Sequence, residues 1–176
     1  MVEATLMAIS LMWFPVGLLL LGKGEPKGTG ALVLMVGTLV LVSAVIEAAV
    51  FKDPFLAALL FAYGLFYCIV GYTLFAGLPN MQAAGNASLT LVPITIIYMI
   101  LALTGGPVLE GGKQLIAKSN FLALACAGYT VLYIMVWLNA YEKFSAKTLG
   151  VSLLIWTVVG LWIPAFWLLA AGKLPF

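Results

Sequence analysis

The stretch GYTVLY, at residues 128–133, sets Tyr129 and Tyr133 four residues apart in the middle of a long apolar run. In a helix, residues at this spacing lie on one face, and Leu122 and Cys126 fall on the same face. A phenol ring offers a flat apolar surface and a hydroxyl that both donates and accepts hydrogen bonds. Such a face either lines a pore or packs one helix against another.

Two further stripes of apolar and aromatic residues recur at helical spacing elsewhere in the chain. They consist of Leu6, Ile9, Trp13 and Gly17 in the first apolar segment and of Phe61, Leu65, Cys68, Tyr72 and Phe75 in the third. Together with the tyrosine stripe, they indicate a loose threefold internal repeat in which each unit opens with an aromatic-faced helix. Corresponding stripes of this kind are compatible with a solute pathway and equally with helix packing.

The sequence lacks the side chains that most catalytic and ion-translocating sites use. It contains no histidine and no arginine, and Glu47 is the only acid well inside an apolar segment. We find no nucleophile–base pair, no paired carboxylates, no metal-ligand spacing and no phosphate-binding glycine loop. We therefore expect no enzyme activity, no metal and no cofactor, and any cargo is expected to be uncharged. Glu47 is either an interface residue near Lys52 or a functional group.

The elements that must position these side chains are membrane helices. Hydrophobic residues make up 65% of the chain and charged residues 8%, and the mean hydropathy is +1.20, which lies outside the range of soluble domains. A helix of about 20 apolar residues crosses a bilayer. The sequence predicts an all-α integral membrane protein, with residues 1–176 forming one domain and six spans at residues 3–22, 29–51, 54–78, 88–105, 119–141 and 147–172.

The connectors between these spans are too short for a soluble domain, so any function must reside in the helix bundle. The first span is expected to stay in the mature protein, because Glu3 precedes it and its apolar run is long for a signal peptide. The lysines divide equally between the two sides, so charge does not fix the orientation. Cys68 and Cys126 fall inside spans, where we expect packing rather than a disulfide.

Small residues in the spans predict close helix packing. Gly128, beside the tyrosines, is expected to let a neighbouring backbone approach. In the even-numbered spans the expected packing residues and helix breakers are Gly30, Gly37, Gly150, Gly160, Pro93 and Pro164.

Several segments resemble one family of membrane proteins. The connector LLGKGEPKGTG and the following MVGTL resemble the first hairpin of the AmiS/UreI family of urea and short-chain amide channels. LLFAYGLFY, GYTVLYIMVWLNAYEK and LWIPAFWLL resemble the third, fifth and sixth helices of that family, in order and spacing. The resemblance covers nearly the whole chain.

The resemblance implies six-helix protomers, built as three repeated two-helix hairpins, that assemble into hexamers with one pore in each protomer. The positions that match the family's pore constrictions are Leu6, Ile9, Trp13, Phe61, Leu65, Tyr129, Leu132 and Tyr133. Two departures leave the solute open. Tyr129 and Tyr133 stand where urea channels commonly have tryptophans, and Trp156 replaces a glutamate that some members carry.

The expected function is facilitated diffusion of urea or a short-chain aliphatic amide through a bacterial or archaeal inner membrane. Some family members open in acid through histidines, and this chain has none, so we expect no acid gating. The expected partners are membrane lipid, further copies in a homo-hexamer and, functionally, a cytoplasmic urease or amidase, with no nucleic acid. The alternatives are a non-transporting membrane scaffold and a secondary carrier for another small neutral solute.

Overall fold

Polar residues in the short connectors cap the helices of this protein. The structure is a computed structural model, and it describes residues 2–109, 111–112 and 114–172. The Asp53 carboxylate accepts a hydrogen bond from the Leu56 N–H at 2.9 Å, and the Ser119 hydroxyl accepts one from the Leu122 N–H at 3.1 Å. Such caps satisfy N–H groups that a helix leaves free at its start. Glu25 caps the second helix in the same way.

Six helices in the described residues are long and apolar enough to cross a membrane. The structure therefore confirms the predicted all-α class with six spans. In chain order the helices are α1 (Val2–Leu20), α2 (Pro26–Ala49), α3 (Pro54–Phe75), α4 (Gln82–Thr104), α5 (Asn120–Ala140) and α6 (Ala146–Ala171). Within the described ranges, the only pairing of extended backbone is a bridge between Val108 and Gln114 in the connector before α5.

The largest error in the predicted spans lies at the start of α4. The sequence predicts a start at residue 88, whereas the helix begins at Gln82. Residues 82–87 are small or polar, and this composition resembles a connector although it is fully compatible with a helix. The Asn80 side chain accepts a hydrogen bond from the Gln82 N–H at 3.1 Å, which stabilises the earlier start.

The six helices form a closed ring. Each helix packs against the helices before and after it in the chain, and α6 packs against α1. The most extensive contacts are those of α2 with α3, α4 with α5, and α6 with α1. The threefold pattern is therefore present, but the tightest pairs join neighbouring hairpins rather than the two helices of each predicted hairpin.

Glycines allow the closest of these contacts. A Cβ atom on Gly37 would lie 2.9 Å from the backbone N of Cys68 and 3.1 Å from the carbonyl O of Gly64. Gly30 faces the α3 backbone at Gly71 in the same way, one heptad away on each helix. The packing role predicted for Gly30 and Gly37 is confirmed.

The α1–α6 contact uses a further glycine pair. A Cβ on Gly17 would lie 3.0 Å from the carbonyl O of Gly150, so the packing role predicted for Gly150 is also confirmed. Gly160 instead lies against the Trp156 ring of its own helix.

Helix α6 changes its winding in its middle. Residues Thr157–Trp162 form a π-helical segment between two α-helical parts. The Thr157 hydroxyl donates to the Leu153 carbonyl at 2.7 Å, and the Trp162 ring stacks on Phe14 of α1 with centroids 5.8 Å apart. Pro164 lies two residues after the end of this segment, and it has no N–H to continue the hydrogen-bond pattern. Segments of this kind are a recognised cause of bends in helices.

We predict that Gly30→Ala destabilises the protein, because its Cβ would overlap the backbone N of Phe75. Overpacking of this kind costs about 1–3 kcal/mol. The measurement is the thermal unfolding midpoint of the detergent-purified protein, followed by circular dichroism. Gly24→Ala is the matched control, because its Cβ would come no closer than 3.5 Å to its nearest neighbour. Equal midpoints for the two variants would contradict the close α2–α3 contact.

Candidate functional site

The inner faces of the ring enclose two cavities, one toward each side of the membrane. We call the side with the start of α1 the N-terminal side, and the side with the connector between α1 and α2 the opposite side. The cavity on the opposite side has a volume of about 140 Å³ and is lined mostly by apolar side chains. Its polar side chains come from Tyr67 of α3 and from Tyr133 and Asn139 of α5.

The cavity on the N-terminal side has a volume of about 90 Å³, which exceeds the roughly 30 Å³ that one water molecule occupies in the liquid. Its walls are aliphatic and aromatic, with polar side chains from Thr5 of α1, Glu47 of α2, Tyr63 of α3 and Tyr129 of α5. This cavity therefore carries the only acidic side chain among the described residues that line either of the two.

Six aromatic side chains from three helices separate the two cavities. We call this group the aromatic constriction, and it comprises Trp13, Tyr63, Phe66, Tyr67, Tyr129 and Tyr133. The Tyr63 ring lies 5.0 Å from Tyr129 and 5.7 Å from Tyr133, centroid to centroid. Phe66 meets Tyr133 edge-on at 5.2 Å, and Trp13 meets Tyr129 in the same manner at 5.2 Å. These are the preferred spacings of aromatic pairs, so the rings support one another across the ring of helices.

The hydroxyl groups of the constriction are largely unused by the protein itself. Among the described residues, the buried hydroxyls of Tyr63, Tyr67 and Tyr133 complete no hydrogen bond of normal geometry, and the Tyr67 hydroxyl interacts with the side chains of Trp13 and Tyr133 at longer range or poorer angle. Leaving a buried polar group unpaired costs about 1–3 kcal/mol. The constriction therefore presents polar atoms that a solute or water molecule between the two cavities can bind.

Hydrogen bonds to α4 hold the tyrosine-bearing helix in place. The Ser88 hydroxyl donates to the backbone carbonyl of Tyr133 at 2.6 Å. One helical turn before Tyr133 along α5, the hydroxyls of Thr95 and Thr130 lie 2.7 Å apart. These side chains are buried or half-buried on the outer side of α5 relative to the cavities, so they fix the helix without blocking the pathway.

Gly128 makes room for a side chain rather than for a backbone. A Cβ atom at this position would overlap the indole ring of Trp156, which corrects the expectation of a backbone contact. Trp156 lies beside Trp13 and Tyr129 and lines neither of the two inner cavities. It therefore supports the constriction from behind.

Six of the eight predicted pore residues line one of the two cavities. Leu6, Ile9 and Tyr129 line the cavity on the N-terminal side, and Trp13, Leu132 and Tyr133 line the one on the opposite side.

The predicted residues of the third helix lie elsewhere. Phe61 and Leu65 are exposed, with relative accessibilities of 44% and 51%, and they line neither cavity. Tyr72 and Phe75, from the same predicted stripe, are also exposed. These four residues face outward from the helix bundle. This corrects the expectation that the stripe faces inward.

The prediction missed Tyr63, Phe66 and Tyr67, which supply half of the constriction. Helix α3 carries aromatic residues on both faces, so aromatic spacing alone does not distinguish the inner face from the outer. A 4–3 spacing in α3 could have revealed the inner face; its residues are Leu56, Leu60, Tyr63, Tyr67, Val70 and Leu74. Gly64 and Gly71 mark the neighbouring face that packs on α2.

The fold and the site define a multi-pass membrane protein whose helices surround two cavities with aromatic side chains between them. The chain belongs to the AmiS/UreI family, because the family model described as AmiS/UreI family transporter matches residues 1–172.

Two solved structures share this fold. One is the crystal structure of the urea channel from the human gastric pathogen Helicobacter pylori, with 22% sequence identity and a TM-score of 0.80. The other is a cryo-electron microscopy structure of the H. pylori urea channel in a closed state, with 20% identity and a TM-score of 0.80. Each comparison covers 99% of this chain and 100% of the other. A search of curated proteins finds no match.

Proposed function

We propose that the protein is a channel for facilitated diffusion of urea or a short-chain aliphatic amide. The observation that carries this proposal is the aromatic constriction, in which three buried tyrosine hydroxyls between two cavities complete no hydrogen bond of normal geometry within the described residues. A planar amide fits between flat rings, and the hydroxyls replace part of its hydration. Membership of a transporter family and the fold shared with a urea channel support the same assignment.

The constriction also accounts for selectivity by charge. Its six aromatic side chains carry no charge that would compensate an ion for its lost hydration shell. Removing an ion from water costs far more than removing a neutral amide. Selection is therefore by width and by charge, and no catalytic step is involved.

Two alternatives from other classes make different predictions for solute flux. A non-transporting scaffold conducts nothing, and a secondary carrier shows saturation and coupling to a second solute. A channel shows neither. Stopped-flow measurement of urea and acetamide entry into proteoliposomes separates the three, and the absence of flux for both solutes would overturn the proposal.

For the setting of the channel, we propose a bacterial or archaeal inner membrane, with a cytoplasmic urease or amidase using the solute that enters.

We further propose a homo-hexamer. The outward face of α3, with Phe61, Leu65 and Tyr72, supplies an apolar surface for lipid or for a neighbouring protomer. We expect native mass spectrometry of the detergent-purified protein to give six copies as the main species. A monomer or dimer as the sole species would remove the hexamer from the proposal.

We predict that conduction is nearly independent of pH between about 5 and 8, the range in which a histidine changes its charge. The chain contains no histidine, so a switch based on imidazole is excluded. The test compares urea flux into proteoliposomes at the two ends of this range. A tenfold rise on acidification would contradict the prediction and would assign gating to a carboxyl group such as that of Glu47, of Asp53, or of Glu110, which lies outside the described residues.

We predict that Tyr133→Phe slows the flux of urea without lowering the unfolding midpoint. The Tyr133 hydroxyl completes no hydrogen bond of normal geometry among the described residues, and its polar neighbour is the Tyr67 side chain. Its loss therefore removes mainly a contact with the solute, worth about 0.5–1.5 kcal/mol. Tyr133→Ala should widen the pathway and reduce the discrimination between urea and larger amides. Both variants are compared with the parent in proteoliposome flux and in thermal unfolding.

Tyr98→Phe is the matched control for the loss of a hydroxyl. The Tyr98 hydroxyl donates to the Phe55 carbonyl at 2.8 Å, and Tyr98 lines neither cavity. This variant should lower the unfolding midpoint and leave flux unchanged. If Tyr133→Ala assembles normally and its relative permeabilities for urea, acetamide and glycerol match the parent, the tyrosine is not part of the filter.

A further inference from the structure

Glu47 is a buried acid at the wall of the cavity on the N-terminal side. It lies in the last turn of α2, and the residue has a relative accessibility of only 5%. Lys52 was expected to lie near Glu47 at the membrane interface. It is exposed in the connector between α2 and α3, where its backbone has a φ of 54°. Burial of an acid in a membrane protein is costly, and such residues usually face a partner or an aqueous path.

The surroundings of Glu47 are apolar or negatively charged, so a negative charge on its side chain needs hydrogen-bond donors. Most of the residues that line this cavity are apolar. The nearby Asp53, whose backbone N–H donates to the Glu47 carbonyl at 3.0 Å, carries a negative charge and caps α3. The C-terminal end of α2 adds a negative partial charge. Each of these features disfavours a negative charge on Glu47, and the other polar side chains of the cavity are the hydroxyls of Thr5, Tyr63 and Tyr129. N–H groups that enter the cavity would stabilise the carboxylate form further.

The solute class proposed above carries such N–H groups. Urea, and to a lesser degree a primary amide, presents N–H groups in one plane, and a carboxylate binds two parallel N–H groups at once. The hydroxyl groups of glycerol do not offer this planar pair. Glu47 therefore discriminates by hydrogen-bond geometry before the solute meets the aromatic rings of Tyr63 and Tyr129, which line the same cavity.

We propose that the Glu47 carboxylate is a specificity-determining binding group that captures planar N–H donors at the mouth of the pathway. This inference rests on the proposed channel function. It extends to planar cations, because guanidinium has the shape of urea and pairs with a carboxylate through two N–H groups. Guanidinium binds at Glu47 but does not pass the uncharged constriction, and so it blocks the channel.

The experiment measures urea flux into proteoliposomes with guanidinium chloride on both sides of the membrane. The parent is compared with Glu47→Gln, which keeps the shape of the side chain and removes its charge. The variant should need about tenfold more guanidinium for half-inhibition, the equivalent of one charge-assisted hydrogen bond. Its ratio of urea to glycerol permeability should fall several-fold.

Glu142→Gln is the matched control, because Glu142 is an exposed acid in the connector between α5 and α6, on the opposite side. It should behave like the parent. Equal inhibition and equal permeability ratios for the parent and Glu47→Gln would overturn the inference and leave the channel function intact.

Two further measurements keep the inference testable on its own. In the parent, guanidinium chloride should inhibit and sodium chloride at the same ionic strength should not; equal effects would overturn the inference even if Glu47→Gln fails to fold.

If the parent conducts neither urea nor acetamide, the channel function fails instead. In that case, a rise in the unfolding midpoint with guanidinium at low concentration, absent from Glu47→Gln, would still support binding at Glu47, and no rise would overturn it.

Discussion

The structure depends on close backbone contact at glycines between neighbouring helices. In lipid, apolar surface gives little drive for helices to associate, so packing must come from close van der Waals contact and from a few hydrogen bonds. Gly30 and Gly37 on α2 bring α3 into direct contact, and the Gly17–Gly150 pair does the same for α1 and α6. Because the tight contacts lie between neighbours around the ring, the centre is left to long side chains rather than to backbone.

The buried hydroxyl groups fall into two classes, those at helix–helix contacts and those at the aromatic constriction. Hydroxyls at helix–helix contacts form hydrogen bonds within the protein. The Ser88 hydroxyl donates to the backbone carbonyl of Tyr133, and the hydroxyls of Thr95 and Thr130 bond to each other. Three tyrosine hydroxyls at the centre complete no such hydrogen bond, although they are equally buried. Natural proteins leave few buried polar groups unpaired, and those that remain are commonly functional. The contrast within one bundle supports the proposal that solutes bind at the constriction.

The sequence predicted the number of helices well, because a membrane span requires a long apolar run and the connectors interrupt such runs clearly. It predicted the inner faces of α1 and α5, where Trp13, Tyr129 and Tyr133 mark one face. The sequence did not predict the inner face of α3. A helix with lipid on one face and a pathway on the other is apolar on both faces, so the pattern does not show whether Phe61 or Tyr63 points inward. The burial of Glu47 against a cavity also depends on the arrangement of other helices, which the local sequence does not contain.

The π-helical segment at Thr157–Trp162 has a consequence for how this helix can change. A π turn holds about one residue more than an α turn, so it behaves like a single inserted residue that the helix absorbs without breaking. Residues after it, including Pro164 and Trp167, point in directions about 100° away from those that a regular helix would give them. The two halves of α6 are therefore separate in register, and loss of one residue within the segment would rotate the C-terminal half as a unit while leaving the Gly150 contact in place.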